Sequence, residues 1–149
     1  MQSNTMTRPD LAQFDGQQFM NLETFRKNGE GVKTPVWFVL DKNIIYVRTG
    51  KDSWKVKRLR NNPQVRIVPS DRVGQPLHDW VMAQGRVVES ELEAQAAKDR
   101  FKRKYGMQMR FFELMGRVRG YQLLTLAFTV NGSARLRTRD RETEMGENE

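Results

Sequence analysis

Short apolar segments, each followed by a tight-turn signal, dominate the first half of this sequence. NLETFRKNG runs into the turn-prone NGEG, VKTPVWFVL follows, and the turn DKN leads into IIYVRT. Alternating segments joined by such short turns are typical of antiparallel hairpins. The same pattern continues in QVRIVPS, WVMAQGRVVE, YQLLTLAFTV and, across the hairpin signal Asn131-Gly132, SARLRT. The sequence therefore predicts a mainly β protein, a six-stranded antiparallel barrel of Greek-key type, rather than a βαβ fold.

Helical signals are few, and we expect two or three short helices. A short helix is predicted from Leu11 to Phe19, and another over SWKVKRLRNN, which Ser53 can cap and Pro63 ends. The strongest helix is ELEAQAAKDRFKRKYG, with Ser90 as N-cap, a basic last turn and Gly106 at its end. A further helix is predicted over MQMRFFELMGRV.

Two residues mark irregular places in the predicted strands. Pro35 has no backbone N–H, so its strand is expected at a sheet edge or at a break in the ladder, which frees neighbouring backbone groups for a ligand. Gly85 is expected to form a β-bulge.

The chain of 149 residues has room for one core, and we divide it into three parts. Residues 1–10 are expected to be a flexible arm, 11–137 the folded domain, and 138–149 a disordered acidic tail with five acids against two arginines.

The residue types exclude several classes of site. The chain has no cysteine and a single histidine, His78, which excludes disulfides, thiolate metal sites and the usual zinc sites. No apolar run reaches the roughly 20 residues of a membrane span, and the start of the chain lacks the apolar stretch of a signal peptide. We therefore expect a soluble, cytoplasmic protein with no membrane partner.

Positive charge is concentrated around the predicted helix after IIYVRT. The chain carries a net charge of +8, and seven basic residues between Arg48 and Arg66 face one acid, Asp52. Helix N-terminal amides, the Ser53 hydroxyl and lysines together would form a phosphate pocket. Two alternatives remain at this point: a solvated basic helix, or a nucleic-acid surface on which Trp37, Tyr46 or Trp54 stack bases.

Three segments in this order carry a family resemblance: TFRKNGEGVKTPVWF, YVRT, and SWKVKRLRNNPQV. With them the chain resembles the pyridoxamine 5'-phosphate oxidase-like split-barrel flavoproteins, and most closely their branch of F420-dependent oxidoreductases. The similarity runs from about Leu22 to Arg86 and more weakly to Tyr105. It implies an FMN-binding split barrel, a homodimer, and a cofactor, coenzyme F420 in the first place or FMN, held between the subunits.

The resemblance also implies which residues hold the cofactor. Thr34, Pro35, Val36 and Trp37 match positions that line the ring. Thr49, Ser53 and Lys55 match the positions that hold the phosphate, and Lys57 is nearby. Arg48 and Trp54 are also counted among the cofactor-binding residues. Lys33 falls where the oxidases place a phosphate-binding arginine, and Trp80 falls where the partner subunit reaches the ring. Lys51, Lys57, Arg58 and Arg60 are placed to attract the acidic tail of F420.

The FRKNG and TPVWF motifs fit the deazaflavin branch better than the oxidases, and the chain departs from the oxidases in two further places. The oxidases carry an arginine before the phosphate lysine, where this chain has Trp54. Their C-terminal signature for pyridoxal phosphate is not recognisable in YQLLTLAFTVNGSARLRT. We therefore do not expect oxidation of pyridoxamine phosphate.

The resulting hypothesis is an oxidoreductase that transfers hydride between F420 and a small electron-poor substrate. The alternatives are an FMN-binding protein of the same fold, either an oxidoreductase or a carrier, and a basic module that binds nucleic acid or another anion without catalysis. No dedicated acid is evident. Tyr46 and Tyr105 are candidate proton donors, although each is more often a packing residue, and His78 is expected to be a surface residue.

Overall fold

The computed structural model describes residues 9–106 and 122–130. These residues form three helices: α1 (Pro9–Ala12), α2 (Trp54–Asn61) and α3 (Glu91–Tyr105). They also form seven strands: β1 (Phe19–Phe25), β2 (Gly31–Trp37), β3 (Val39–Asp41), β4 (Ile44–Gly50), β5 (Gln64–Ser70), β6 (Val81–Val87) and β7 (Leu123–Val130).

All seven strands belong to one antiparallel sheet with the order β2-β1-β5-β6-β7-β4-β3. The strands at its two ends, β2 and β3, are consecutive in the chain and separated only by Phe38. The sheet therefore curls until its ends meet at one interrupted strand. This confirms the antiparallel split barrel. The described residues hold seven strands where six were predicted, and the segment VKTPVWFVL supplies two of them because it divides at Phe38.

Local turn chemistry sets two of the hairpins. Lys42 and Asn43 have φ values of 55° and 67°, which place both central residues of the β3–β4 turn in the left-handed region. This is the geometry of a type I′ turn, whose twist matches that of the flanking strands. The β1–β2 turn closes through Arg26 N–H to the Glu30 carbonyl, and its Gly29 has a φ of 92°. Pro35 lies on β2, an edge strand, as predicted.

The core fills the inside of the curled sheet. Its fully buried side chains come from alternate positions of the strands, for example Met20 and Leu22 of β1 and Ile45 and Val47 of β4. Helix α2 closes one end with Val56 and Leu59, which belong to the same buried cluster. The predicted start and end of α2 are correct: Ser53 accepts a hydrogen bond from Val56 N–H, and Pro63 follows the last turn.

Helix α3 packs on the outside of β3, β4 and β7. Ala97, Phe101 and Tyr105, four residues apart on one face, form a second buried cluster with Tyr46 and Ala127, among others. Ser90 accepts from Glu93 N–H at the N-terminus, and the helix ends at Gly106, whose φ is 57°. Both ends agree with the sequence prediction.

The last residue of α3 satisfies the backbone at the break between β2 and β3. Tyr105 accepts a hydrogen bond from Phe38 N–H (3.0 Å), and its hydroxyl lies 2.9 Å from the Phe38 carbonyl and 2.7 Å from that of Gln18. Lys104 donates a second hydrogen bond to the Phe38 carbonyl (2.8 Å). The strand can therefore break at a buried position without leaving its backbone polar groups unpaired.

Two local predictions are wrong. The predicted helix from Leu11 to Phe19 is shorter, because α1 ends at Ala12, the chain turns through Gly16 with a φ of 76°, and Phe19 already belongs to β1. Gly85 is not in a bulge, because the β6–β7 register runs through it without interruption. A Cβ at Gly85 would lie 2.6 Å from the Phe128 ring and 2.7 Å from Leu59 Cδ1, so the residue permits close packing.

Several predictions concern residues outside the described ranges: most of the expected arm, the helix over MQMRFFELMGRV, the strand SARLRT with its Asn131-Gly132 turn, and the acidic tail. Helix α1 begins at Pro9, within the segment expected to be an arm. Across residues 9–106 and 122–130, every helix is too short or too polar to cross a membrane.

Candidate functional site

A cavity of about 470 Å³ opens beside β2, at the split of the barrel. It is lined by Phe19, Thr34, Pro35, Val36, Trp37, Arg48, Thr49, Lys55, Phe101 and Leu123. Successive side chains of a strand point to opposite faces, so four consecutive lining residues mean that the cavity meets β2 along its edge. That edge has no neighbouring strand in the sheet order, which leaves its backbone groups facing the cavity.

One end of the cavity is apolar and aromatic. Trp37 stacks on Tyr105 with a centroid separation of 4.4 Å and an interplanar angle of 9°. Tyr105 in turn lies 5.7 Å from the Phe101 ring. These three rings form an aromatic column, and its two outer members, Trp37 and Phe101, contribute to the cavity wall. Because Tyr105 is held by the backbone of Phe38, the column is fixed to the break in the strand.

The other end of the cavity is polar and lies at the start of α2. The Thr49 hydroxyl donates to Ser53 Oγ over 3.4 Å, which places the Ser53 N-cap next to a lining residue. Lys55, in the first turn of α2, is partly buried, and this burial lowers the pKa of its ammonium, with a further contribution from Arg58. The Lys55 ammonium has no hydrogen bond or ion pair with any residue in 9–106 or 122–130. A cation in this setting lacks a counter-charge.

Seven of the twelve predicted site residues line this cavity: Thr34, Pro35, Val36, Trp37, Arg48, Thr49 and Lys55. Ser53 adjoins it through Thr49. The structure thus brings together the strand-edge group and most of the phosphate group, although these segments are separated in the sequence.

Two predicted residues, Lys33 and Trp80, lie on the outer face of the barrel. Lys33 is opposite Glu23 in the β1–β2 register, and Glu23 alternates with the core residue Leu22. Lys33 Nζ lies 5.4 Å from the centre of the Trp80 ring, and the guanidinium of Arg66 lies 4.6 Å from it. Arg66 is paired with Glu23 at 2.6 Å. Neither Lys33 nor Trp80 contributes to the wall of the cavity within the same chain.

The remaining predicted residues, Trp54 and Lys57, lie on the exposed side of α2. The Trp54 side chain is 68% exposed, and Lys57 Nζ lies 4.5 Å from the centre of its ring. Two residues expected to attract an acidic tail are held by the protein itself, since Arg58 Nε donates to Thr24 Oγ1 (2.7 Å) and Lys51 Nζ donates to Gln122 Oε1 (3.2 Å).

The two candidate proton donors are engaged elsewhere. Tyr46 donates to Glu93 Oε2 (2.7 Å), and burial, reinforced by Glu93, raises its pKa to about 12. Burial also raises the pKa of Tyr105, whose hydroxyl is bonded at the strand break. Neither residue lines the cavity. His78 is exposed, as expected.

Sequence reasoning missed three lining residues: Phe19, Phe101 and Leu123. Leu123 and Phe19 are at the first positions of their strands, where burial by a neighbouring element cannot be inferred from alternation. A signal existed for Phe101, because Ala97, Phe101 and Tyr105 form an apolar stripe on an otherwise charged helix. That stripe predicts contact with the sheet, but not which part of the sheet.

Comparisons with known proteins agree with this architecture. HutZ, the heme storage protein of Vibrio cholerae, is 19% identical, with a TM-score of 0.59 over 85% of this chain and 92% of its own. An FAD-binding protein of Mesorhizobium loti is 12% identical, with a TM-score of 0.56 over 80% of this chain and 86% of its own. A conserved hypothetical protein of Mycobacterium tuberculosis is 15% identical, with a TM-score of 0.61 over 88% of this chain and 86% of its own. At these identities the likeness concerns the fold.

No curated protein sequence matches the chain. The sequence model described as pyridoxamine 5'-phosphate oxidase matches residues 8–130, which include every described strand and the whole cavity. The match covers most of the chain and agrees with the split barrel found here, so this protein belongs to the pyridoxamine 5'-phosphate oxidase family.

Proposed function

We propose that this protein is an oxidoreductase that binds a flavin-type cofactor, coenzyme F420 or FMN, in the cavity beside β2. The observation that carries the proposal is Lys55, a partly buried ammonium without a partner among the described residues, at the polar end of a cavity with aromatic walls. Burying a charge without a counter-charge is costly. A cofactor with a planar ring and a phosphate supplies both the apolar body and the missing anion.

The apolar end fits a planar ring. Trp37 and Phe101 provide flat apolar surface, and Leu123 and Phe19 close the wall beside them. The free edge of β2 offers backbone donors and acceptors to the polar atoms at the rim of such a ring. Pro35 contributes only a carbonyl, so the donors come from its neighbours in the strand.

The polar end fits a phosphate. The first N–H groups of α2 have no partner within the helix and carry partial positive charge. The hydroxyls of Thr49 and Ser53 lie beside them, and Lys55 adds a full charge in the same turn. This combination of amides, hydroxyls and a lysine matches the way in which helix N-termini bind phosphate in other proteins.

The cofactor, when bound, would supply hydride transfer to an electron-poor small molecule. The chain's own residues would bind and orient it: Lys55 fixes the phosphate, the edge of β2 fixes the ring, and the aromatic column excludes water from the apolar face. None of the described lining residues is a histidine or a carboxylic acid. We therefore assign the protein no proton-donating side chain in the cavity.

Flavin binding is favoured over the heme of HutZ by the lining residues. Protein ligands to heme iron are His, Cys, Met or Tyr, and none of these types lines the cavity in the described residues. The FAD-binding neighbour of the same fold supports a flavin-type cofactor. The preference for F420 over FMN rests on the sequence motifs and is part of the proposal.

We also propose a homodimer in which the outer face of each barrel faces its partner. Trp80 is on this face beside Arg66, whose register partner Met82 is an exposed apolar residue, and the loop before β6 exposes two more, Val73 and Leu77. Exposed apolar residues grouped on one face are characteristic of an interaction surface. Sedimentation velocity on the purified protein tests this part of the proposal.

The main test is a titration of purified, cofactor-free protein with F420 and FMN side by side, at low and high salt. The variant is Lys55→Ala, and its matched control is Lys102→Ala, which removes an exposed lysine from α3. A hydrogen-bonded charge contributes about 1.5–3 kcal/mol, so Lys55→Ala should weaken cofactor binding about 10- to 100-fold, and Lys102→Ala should change it little.

The outcomes separate the candidate functions. Tight F420 binding with weak FMN binding supports an F420-dependent reductase. Tight FMN binding with weak F420 binding supports an FMN-binding protein instead. Binding of neither, or equal losses in both variants, overturns the cofactor proposal. A nucleic-acid module would instead show small losses spread over many basic residues and a steep dependence on salt.

A further inference from the structure

The most exposed aromatic side chain in the described residues is next to the candidate phosphate site. Trp54 is the first residue of α2 and leaves 68% of its side chain exposed. Lys57, three residues later and on the same side of the helix, places its ammonium 4.5 Å from the centre of the indole. Exposing a large aromatic ring to water is unfavourable, and such a ring is often found where a ligand or partner binds.

This surface lies at the same end of α2 as the polar end of the cavity. Ser53 caps α2, Trp54 begins it, and Lys55 lines the cavity. A ligand whose phosphate is held at Lys55 and which extends beyond that phosphate is therefore within reach of Trp54, one residue away. FMN ends at its phosphate and cannot make this contact, whereas FAD continues with a second phosphate and an adenosine.

We propose that Trp54 and Lys57 form a subsite for the adenosine monophosphate half of a dinucleotide flavin, FAD, beyond its first phosphate. This inference rests on the proposed cofactor cavity and extends the flavins that it accepts from FMN to FAD. The indole would stack on the adenine, a contact that requires an accessible aromatic face. The ammonium of Lys57, which has no carboxylate partner among the described residues, would bind the second phosphate.

The charges around this subsite favour an anion. Arg60 is exposed three residues after Lys57, Lys51 is exposed shortly before the helix, and Asp52 is the only acidic residue between Arg48 and Arg66. Arg58 is turned away, since it is bonded to Thr24 of β1. The adenine subsite is therefore assigned to Trp54 and Lys57 alone, and the neighbouring cations add a weaker, salt-screened attraction.

The test compares the dissociation constants of FMN and FAD for the full-length protein, read from flavin fluorescence and from quenching of tryptophan fluorescence. The variants are Trp54→Ala, Trp54→Phe and Lys57→Ala. The matched controls are Leu92→Ala, which removes another exposed apolar side chain (85% exposed), and Lys102→Ala, which removes an exposed lysine.

We expect the wild-type protein to bind FAD more tightly than FMN. Base–aromatic stacking has a known range of about 1–3 kcal/mol, so Trp54→Ala should weaken FAD binding about 5- to 100-fold and leave FMN binding within about twofold. Trp54→Phe should retain most of the FAD affinity. Lys57→Ala should also lower the affinity for FAD selectively, whereas the two controls should change neither constant.

Four results would overturn the inference, and they can be told apart. If FMN binds but FAD binds no more tightly, the cavity proposal stands and the adenine subsite does not. If Trp54→Ala weakens both flavins equally and changes the sedimentation coefficient, Trp54 belongs to a contact between subunits. If F420 binds but neither flavin does, the subsite alone is refuted; if none of the three binds, the cofactor cavity is refuted, and the subsite with it.

Discussion

Removing the hydroxyl of Tyr105 tests whether the break in the barrel depends on one side chain. Tyr105→Phe keeps the ring that stacks between Trp37 and Phe101 but deletes the oxygen that accepts from Phe38 N–H and donates to a carbonyl. Lys104 still donates to the Phe38 carbonyl. The variant therefore loses two hydrogen bonds, of about 1 kcal/mol each, and strands a buried N–H at a further cost of about 1–2 kcal/mol. We expect the free energy of unfolding to fall by about 3–4 kcal/mol.

Urea denaturation followed by tryptophan fluorescence measures this loss, with the m-value checked for constancy. Tyr46→Phe is the matched control, because it also removes a tyrosine hydroxyl, but one whose partner Glu93 keeps its two hydrogen bonds from Arg86. That variant should lose about 0.5–1.5 kcal/mol. The reasoning is refuted if Tyr105→Phe is no less stable than Tyr46→Phe at an unchanged m-value.

Two further predictions concern packing and pH. Gly85→Ala should lower stability by about 1–3 kcal/mol, because its Cβ would overlap the Phe128 ring and Leu59; a melting temperature equal to that of wild type would contradict this. Burial lowers the pKa of Lys104 from 10.5 to about 8, against a smaller raising effect of Asp15, so between these values the unfolded chain binds more protons. Wild-type stability should therefore rise relative to that of Lys104→Met between pH 8 and pH 10.5, and parallel stability curves for the two proteins would show that Lys104 does not titrate in this range.

The elements that the sequence predicted well are those whose signals are local. The turn DKN needs two residues that tolerate positive φ, and Lys42 and Asn43 adopt it. Helix α2 is bounded by its own Ser53 and Pro63, and α3 by Ser90 and Gly106. In each case the physical cause lies within a few residues of its effect, so a single sequence is enough to find it.

The features that sequence reasoning missed depend on contacts between distant segments. The strand breaks at Phe38 because Tyr105, far along the chain, supplies the hydrogen bonds that a neighbouring strand would otherwise supply. A glycine within a strand pattern suggests a bulge, but Gly85 instead makes room for the ring of Phe128 on the adjacent strand. The strand-edge half of the candidate site followed from the family motifs, whereas Phe101 enters the cavity through the packing of α3, which no local pattern encodes.

The strand order also has a consequence for synthesis of the protein. Strand β4 pairs with β7 along its whole length, from Ile44 with Thr129 to Gly50 with Leu123. During translation β4 therefore remains an open edge until nearly all of the described chain has been made. Exposed strand edges are sites of intermolecular pairing, and long-range pairings form slowly. Ribosome-bound chains that end before Leu123 should therefore aggregate or recruit chaperones. Protease resistance should begin once β7 has emerged from the ribosome.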